Sequence, residues 1–163
     1  MTDDRTRTYS WEDPLPSLEL MAGLSGLEAM RKMAAGELPQ PAIAATLGFR
    51  LTEAEPGRAV FEGEPAEFHY NPIGIVHAGL ASTLLDSAMG CAFVTTLEAG
   101  IRWTTLDLNV NFTRAITVDT GRIRCIGTVL HPGRRVATTE GRVEDLRGRL
   151  LAHGTGTILV LPE

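Results

Sequence analysis

The stretch that decides the fold runs from His69 to Asp86 and reads HYNPIGIVHAGLASTLLD. Its first part, residues 69–76, contains Asn-Pro and a glycine and is predicted to be a loop. Residues 78–97 lack proline and are rich in alanine and leucine, so a helix of about five turns is expected there. Apolar residues cover most of its circumference, which indicates burial on nearly all sides. Asp86 is a lone acid on this helix, and because a carboxylate is costly to bury, we expect a functional use for it.

Strand patterns flank this helix. Upstream, residues 49–64 form two short extended pieces around the turn Glu55-Pro56-Gly57. Downstream, four strands separated by turns are predicted at residues 101–113, 119–131, 135–145 and 149–161. The fold class that follows is α+β, with one antiparallel sheet wrapped around one long central helix.

The first downstream strand alternates apolar and polar residues, which is typical of an antiparallel strand with one apolar face. Its polar residues are expected to share the other face, which marks either solvent or a site. They are Thr105, Asp107, Asn109 and Asn111.

The chain is divided into an N-terminal helical arm, residues 1–48, and a main domain, residues 49–163. After Pro16, apolar residues recur at a spacing of about three and predict one amphipathic helix. They are Leu18, Met21, Leu24, Leu27, Met30 and Met33. A short second helix is expected from Pro41 to just before Gly48.

Composition limits the function classes. The chain has 163 residues and a formal charge of −5, which argues against nucleic acid or an anionic membrane surface as the main partner. No apolar leader and no run of membrane-spanning length is present, so a cytoplasmic protein is expected. Cys91 and Cys125 do not form a disulfide framework, and no spacing suggests zinc. No metal or redox cofactor is therefore predicted.

The sequence resembles the hotdog-fold acyl-CoA thioesterases, and most closely the PaaI-type enzymes of the phenylacetate pathway. The resemblance covers roughly residues 43–160. It implies a hotdog fold, hydrolysis of an acyl-CoA thioester, and a homodimer or homotetramer with two sites at each dimer interface. It rests on Asn71-x-x-Gly74-x-x-His77-x-Gly79 with Asp86 following, on Thr105-Leu106-Asp107-Leu108-Asn109, and on the turn Gly133-Arg134-Arg135.

Thioester hydrolysis develops negative charge on the thioester oxygen, and a backbone N–H at a helix N-terminus can stabilise that charge. Ala78 and Gly79 occupy such a place. In similar proteins the loop reads His-Gly-Gly, and the first glycine is the implied oxyanion donor, so Ala78 stands in that position here. Alanine keeps the N–H but does not freely adopt positive φ. If the loop needs positive φ at residue 78, the alanine weakens the oxyanion site.

In related enzymes the carboxylate that matches Asp86 acts as nucleophile or as general base on water, and the sequence leaves both roles open. We expect partial burial of Asp86. The alternative is a solvent-reaching helix acid hydrogen-bonded to Ser82 or Thr83. Thr105 matches a Ser/Thr that reaches the acid or the water from the facing subunit, although strands also favour threonine for its branched side chain.

Two loop residues complete the expected site. Asn71 can hold the attacking water or the carbonyl through its amide, or it can form an Asx turn before Pro72. His77 is favoured as a support of the loop over a role in proton transfer. His69 lies outside the motif and is assigned no role.

The coenzyme A end of the substrate carries phosphates and needs cations away from the reacting carbonyl. The candidates are Arg114, Arg134 and Arg135. The alternative is that these arginines are solvated residues at strand edges, where they guard against aggregation. The acyl end needs an apolar pocket. An aryl, phenylacetyl-like, medium-chain or branched acyl group would fit such a pocket. Residues expected to line it are Met89, Phe93 and Trp103.

Three other functions are weighed. A non-catalytic acyl-CoA-binding protein has the same substrate contacts without turnover. Hydratases and dehydratases also act on acyl thioesters, but the dehydratases use a glutamate on the helix, and none lies between Gly79 and Leu97. A structural oligomerisation domain would leave Asp86 without a role.

Overall fold

The computed structural model of the chain describes residues 4–161, apart from the side chains of residues 17 and 18. Leu18, one of the apolar positions of the predicted first helix, lies outside the described side chains. The described elements are the helices α1 (Pro14–Met21), α2 (Gly26–Ala35), α3 (Ala42–Leu47) and α4 (Ala78–Val94), and the strands β1 (Phe49–Glu55), β2 (Arg58–Gly63), β3 (Trp103–Phe112), β4 (Ile123–His131), β5 (Val136–Asp145) and β6 (Leu150–Val160). Short 3₁₀ turns lie at Glu67–His69 and Val118–Thr120.

The six strands form one antiparallel sheet in the order β1-β2-β4-β5-β6-β3. Helix α4 packs against this sheet, mainly on β4, β2 and β5, so the predicted hotdog architecture is confirmed. Strand β3 is at one edge of the sheet, while β1 at the other edge is covered by α2. The N–H and C=O groups along the outer side of β3 are consequently left open in a single chain.

Helix α4 is buried because the sheet comes very close to it. Leu84, Leu85 and Ala88 on the helix have no solvent exposure. At Gly127 in β4, a Cβ atom would lie 2.2 Å from the backbone of Ala88. Glycine is thus required there for the contact between helix and strand. The helix ends at Val94, earlier than predicted.

A bulge in β3 corrects one expectation. The register with β6 shifts between Thr105 and Asp107, so Leu106 is an extra residue and is 55% exposed. Because strand faces alternate with a period of two, one extra residue reverses the faces. Thr105 therefore faces α4, and the prediction that it shares a face with Asp107 and its polar neighbours was wrong.

The N-terminal region differs from the single helix predicted after Pro16. The chain forms two helices there, because the side chain of Ser25 accepts a hydrogen bond from the Glu28 N–H and caps a new helix, α2. Helix α3 agrees with prediction and is followed by its C-cap residue, Gly48, which has φ 70°. The division at residue 48 stays a prediction, although α2 contributes to the same core as the sheet through Met30 and Met33. In the part described, no helix is long and apolar enough to cross a membrane.

Replacing Gly127 with Ala is expected to lower the free energy of unfolding by about 2 kcal/mol or more, because the added methyl overlaps the α4 backbone. Urea unfolding measures the change. The matched control is Gly23→Ala, since a Cβ there meets no atom within 4 Å, and its effect should stay within about 0.5 kcal/mol. Equal stability of both variants would contradict the close packing of helix and sheet.

Candidate active site

The N-terminus of α4 presents one backbone donor to solvent. His77 is the N-cap residue, and its Nδ1 accepts a hydrogen bond from the Gly79 N–H at 2.9 Å. Within residues 4–161, the N–H of the exposed Ala78 has no acceptor. The available donor is consequently Ala78, while Gly79 is already engaged. No non-glycine residue in the described range has positive φ, so alanine is unstrained here.

The loop before α4 is held by Asn71. Its Oδ1 accepts from the N–H groups of Ile73 at 3.1 Å and Ile75 at 3.3 Å, which is an Asx turn. This uses the amide oxygen and leaves Nδ2 as the group that can donate to a ligand. Asn71, His77 and Ala78 line one side of a groove of about 310 Å³ whose other side includes Phe112 and Arg114.

Asp86 lies in a second groove, between α4 and β3. The Oγ1 of Thr105 donates a hydrogen bond to Asp86 Oδ1 at 2.9 Å. This donor lies in the same chain as the acid, whereas the resemblance implied a Ser/Thr that reaches the acid or the water from the facing subunit. The hydroxyls of Ser82 and Thr83 donate to helix carbonyls and not to Asp86. This excludes the alternative in which one of them is hydrogen-bonded to the acid. Asp86 is exposed in the single chain, contrary to the expected partial burial.

The two halves of the candidate site are separated along the helix. Ala78 and Asp86 are eight residues apart, which corresponds to about 12 Å along the axis. A thioester carbonyl has its carbon and oxygen about 1.2 Å apart. One chain therefore does not bring its own donor and its own acid to the same carbonyl.

The three candidate cations also lie at different places. Arg114 follows the end of β3 and borders the groove of Asn71 and Ala78. Arg134 and Arg135 precede β5, and the Arg135 carbonyl accepts from Val160, which pairs with Trp103 at the start of β3. The ten-residue β3 spans about 30 Å, so a single chain does not assemble these arginines around one ligand.

The expected acyl pocket differs from prediction. Met89 and Phe93 are 2% and 1% exposed and belong to the closed core. Trp103 is partly exposed, and its ring lies where a side chain at Gly90 would be, one turn beyond Asp86. The space between α4 and β3 is filled at that point.

His69 has a structural role that sequence reasoning missed. It is buried, its Nδ1 accepts from the Ala66 N–H, and its Nε2 donates to the Leu47 carbonyl. Burial lowers the pKa of the imidazole, which favours the neutral form that these two bonds require. Its carbonyl accepts the His77 N–H at 2.7 Å, directly before α4. Leu47 is 22 residues away from His69 in the chain, so no local motif signals that contact.

Comparison with known proteins identifies the family. Residues 73–152 match the family model described as Thioesterase superfamily. Acyl-coenzyme A thioesterase 13 from Homo sapiens is 31% identical over 108 residues, which are 66% of this chain and 76% of that protein. The chain belongs to the thioesterase superfamily. The predicted family and enzyme class, a thioester hydrolase, are confirmed.

Solved structures place this thioesterase among similar folds. A putative thioesterase from Ralstonia eutropha, described as a phenylacetic acid degradation-related protein, is 30% identical with a TM-score of 0.72 and covers 80% of this chain and 98% of its own. A mutant form of the phenylacetic acid degradation protein PaaI from Thermus thermophilus is 29% identical, with a TM-score of 0.67. The match covers 74% of this chain and 100% of that protein. The matched family region contains His77, Asp86 and Thr105.

Proposed function

We propose that this thioesterase hydrolyses acyl-CoA, with Ala78 as oxyanion donor and Asp86 as the group that attacks or activates water. One observation supports this most directly. A single helix carries an unsatisfied backbone N–H at its start and an exposed carboxylate, hydrogen-bonded to Thr105, two turns later. Acyl transfer needs an oxyanion donor and a base or nucleophile.

The proposal includes a second copy of the chain. Antiparallel pairing of two β3 edges would place the helices side by side in opposite directions. Asp86 and Thr105 of one subunit would then face His77 and Ala78 of the other, which removes the separation of about 12 Å along one helix. The open edge of β3 gives this pairing a physical cause. A homodimer, or a homotetramer made of two such dimers, would have two sites per pair.

The reaction proceeds by attack on the thioester carbon. If Asp86 is a general base, it takes a proton from water while the water oxygen bonds to the carbonyl carbon. The carbonyl oxygen gains negative charge and is stabilised by the Ala78 N–H. Collapse breaks the C–S bond, and the CoA sulfur receives the proton, giving a carboxylic acid and free CoA. If Asp86 is the nucleophile, its carboxylate displaces CoA thiolate from the carbonyl carbon and forms a mixed anhydride. Water then hydrolyses the anhydride to the carboxylic acid, which restores the Asp86 carboxylate and supplies the proton that the thiolate takes up.

An isotope experiment can detect the route in which Asp86 is the nucleophile. A single turnover in H₂¹⁸O, followed by mass spectrometry of the peptide containing Asp86, would find label in the carboxylate if hydrolysis of the anhydride occurs at Asp86. The general-base route transfers the label to the product acid alone. Neither route requires a metal or redox cofactor, and none is included in the proposal.

The substrate end groups follow from charge and space. Pairing of β3 edges would bring Arg134 and Arg135 of one subunit towards Arg114 of the other, forming a cationic border for CoA phosphates. Because Trp103 fills the space beyond Asp86, we propose an aryl or medium-size acyl group. Similarity to a phenylacetic acid degradation-related protein supports the aryl class. We also propose a cytoplasmic location, where acyl-CoA is available.

Replacing Asp86 with Asn is expected to lower kcat by about 100-fold or more, since the amide can neither accept the proton nor form the anhydride. Release of the thiol from phenylacetyl-, benzoyl- and hexanoyl-CoA measures turnover, and calorimetry with a CoA thioether measures binding, which should persist. Asp119→Asn, an exposed acid on a separate turn, is the control. Binding without turnover by the wild-type protein would instead favour the acyl-CoA-binding function.

Replacing Ala78 with Pro is expected to remove the oxyanion donor and keep the helix. Proline is accepted at the first helical position, and the preceding residue, His77, already has the extended backbone that proline requires, with φ −59° and ψ 135°. Turnover should fall by about 100-fold. Ala78→Gly keeps the N–H and should leave turnover within about twofold. Loss of activity in the glycine variant would argue against Ala78 as the donor.

The two-chain site has its own test. Chains with Asp86→Asn and chains with Ala78→Pro are each expected to be nearly inactive, but co-expression should restore about a quarter of wild-type turnover, because half of the dimers hold one intact site. Two-tag purification isolates the mixed dimer. An inactive mixed dimer would contradict a site shared between subunits.

A further inference from the structure

The N-terminal segment of residues 4–13 is exposed and lies outside the region matched by the family model. Its central contact is Arg7. The guanidinium donates to the carbonyls of Thr46 at 2.5 Å and Ala45 at 3.0 Å, and its carbon lies 3.9 Å from the centre of the Phe68 ring. Arg5 forms an ion pair with Glu67 at 2.8 Å. The segment therefore joins the end of α3 to the turn Glu67–His69.

The C-terminus of α3 connects these contacts. The last carbonyls of a helix lack partners within the helix and need external donors. Here Ala45 and Thr46 are satisfied by Arg7, and Leu47 is satisfied by the Nε2 of His69. Arg7 and His69 thus fix the same helix end from two sides. The Phe68 ring, next to His69 in sequence, also contacts the His69 ring at 4.1 Å between centres.

From His69 the contacts continue to the oxyanion donor. The His69 carbonyl accepts the N–H of His77, and the His77 side chain caps the N–H of Gly79. Ala78, whose N–H is the proposed oxyanion donor, lies between these two fixed residues. Tyr70 adds a bridge to Val76 in the same loop. The turn Glu67–His69 and the Asx turn of Asn71 thus both hold the backbone that leads into Ala78.

We infer that Arg7 is a positioning residue of this thioesterase: by joining α3 to the turn Glu67–His69, it fixes the loop that orients the Ala78 N–H. This rests on the proposed function of Ala78 and extends the site to a segment that lines neither of the two grooves. An oxyanion donor acts on charge that develops in the transition state, so its misorientation lowers kcat more than it changes KM.

The test compares Arg7→Ala with Arg31→Ala. Arg31 is also exposed and donates to one backbone carbonyl, Ala54, but it lies on α2, away from this loop. Arg7→Ala is expected to lower kcat roughly fivefold or more with KM within about twofold. Arg7→Lys should recover part of the loss, since lysine can donate to the same carbonyls but lacks the planar group that stacks on Phe68. Arg31→Ala should match the wild type.

Amide hydrogen exchange gives a readout that does not depend on turnover. In Arg7→Ala, exchange in the peptide covering residues 69–80 should become roughly tenfold faster, while peptides of β5 and β6 stay unchanged. If the wild-type protein has no turnover, the proposed function fails and exchange alone tests the role of Arg7. Wild-type kcat in Arg7→Ala, or unchanged exchange in residues 69–80, would overturn the inference. A uniform rise in exchange over the whole chain would also overturn it, because that indicates general destabilisation.

Discussion

The close contact between α4 and the sheet is the constraint on which the rest of the structure depends. At Gly127 the strand backbone approaches the helix so closely that a single methyl group would overlap Ala88. Interiors are packed at the density of crystals, so such a contact fixes the helix in both position and rotation. The position of Asp86 and the direction of the helix N-terminus both follow from it. The chemistry of the candidate site is therefore set by packing on the opposite side of the helix.

Burial on most sides leaves α4 with one narrow polar strip. That strip faces the groove beside β3, where Ser82, Thr83 and Asp86 meet Thr105. It lies next to the open edge of the sheet, and the donor and the acid on it are too far apart for one carbonyl. The edge that leaves backbone groups open borders this strip, so the assembly and the chemistry proposed above would both depend on one surface of the chain.

The loop before α4 is held by contacts distant in sequence. His69 is buried and neutral, and it connects the end of α3 to the residue that caps α4. Arg7 reaches the same helix end from a segment outside the matched family region. Preorganised donors stabilise charge because little reorganisation is needed when the reaction occurs. A loop fixed from several sides suits that requirement.

The sequence by itself determined the fold class, the order of helix and strands, and the residues of the motif, because hydrophobic period, turn residues and spacing are local properties. It identified Asn71, His77, Ala78 and Asp86 as one constellation. Tertiary structure alone decided how they are arranged. The bulge that turns Thr105 towards Asp86, the engagement of Gly79 by His77, and the separation of Arg114 from the other arginines depend on register and on contacts between distant segments. No local pattern encodes those, since each arises only when the elements pack against one another.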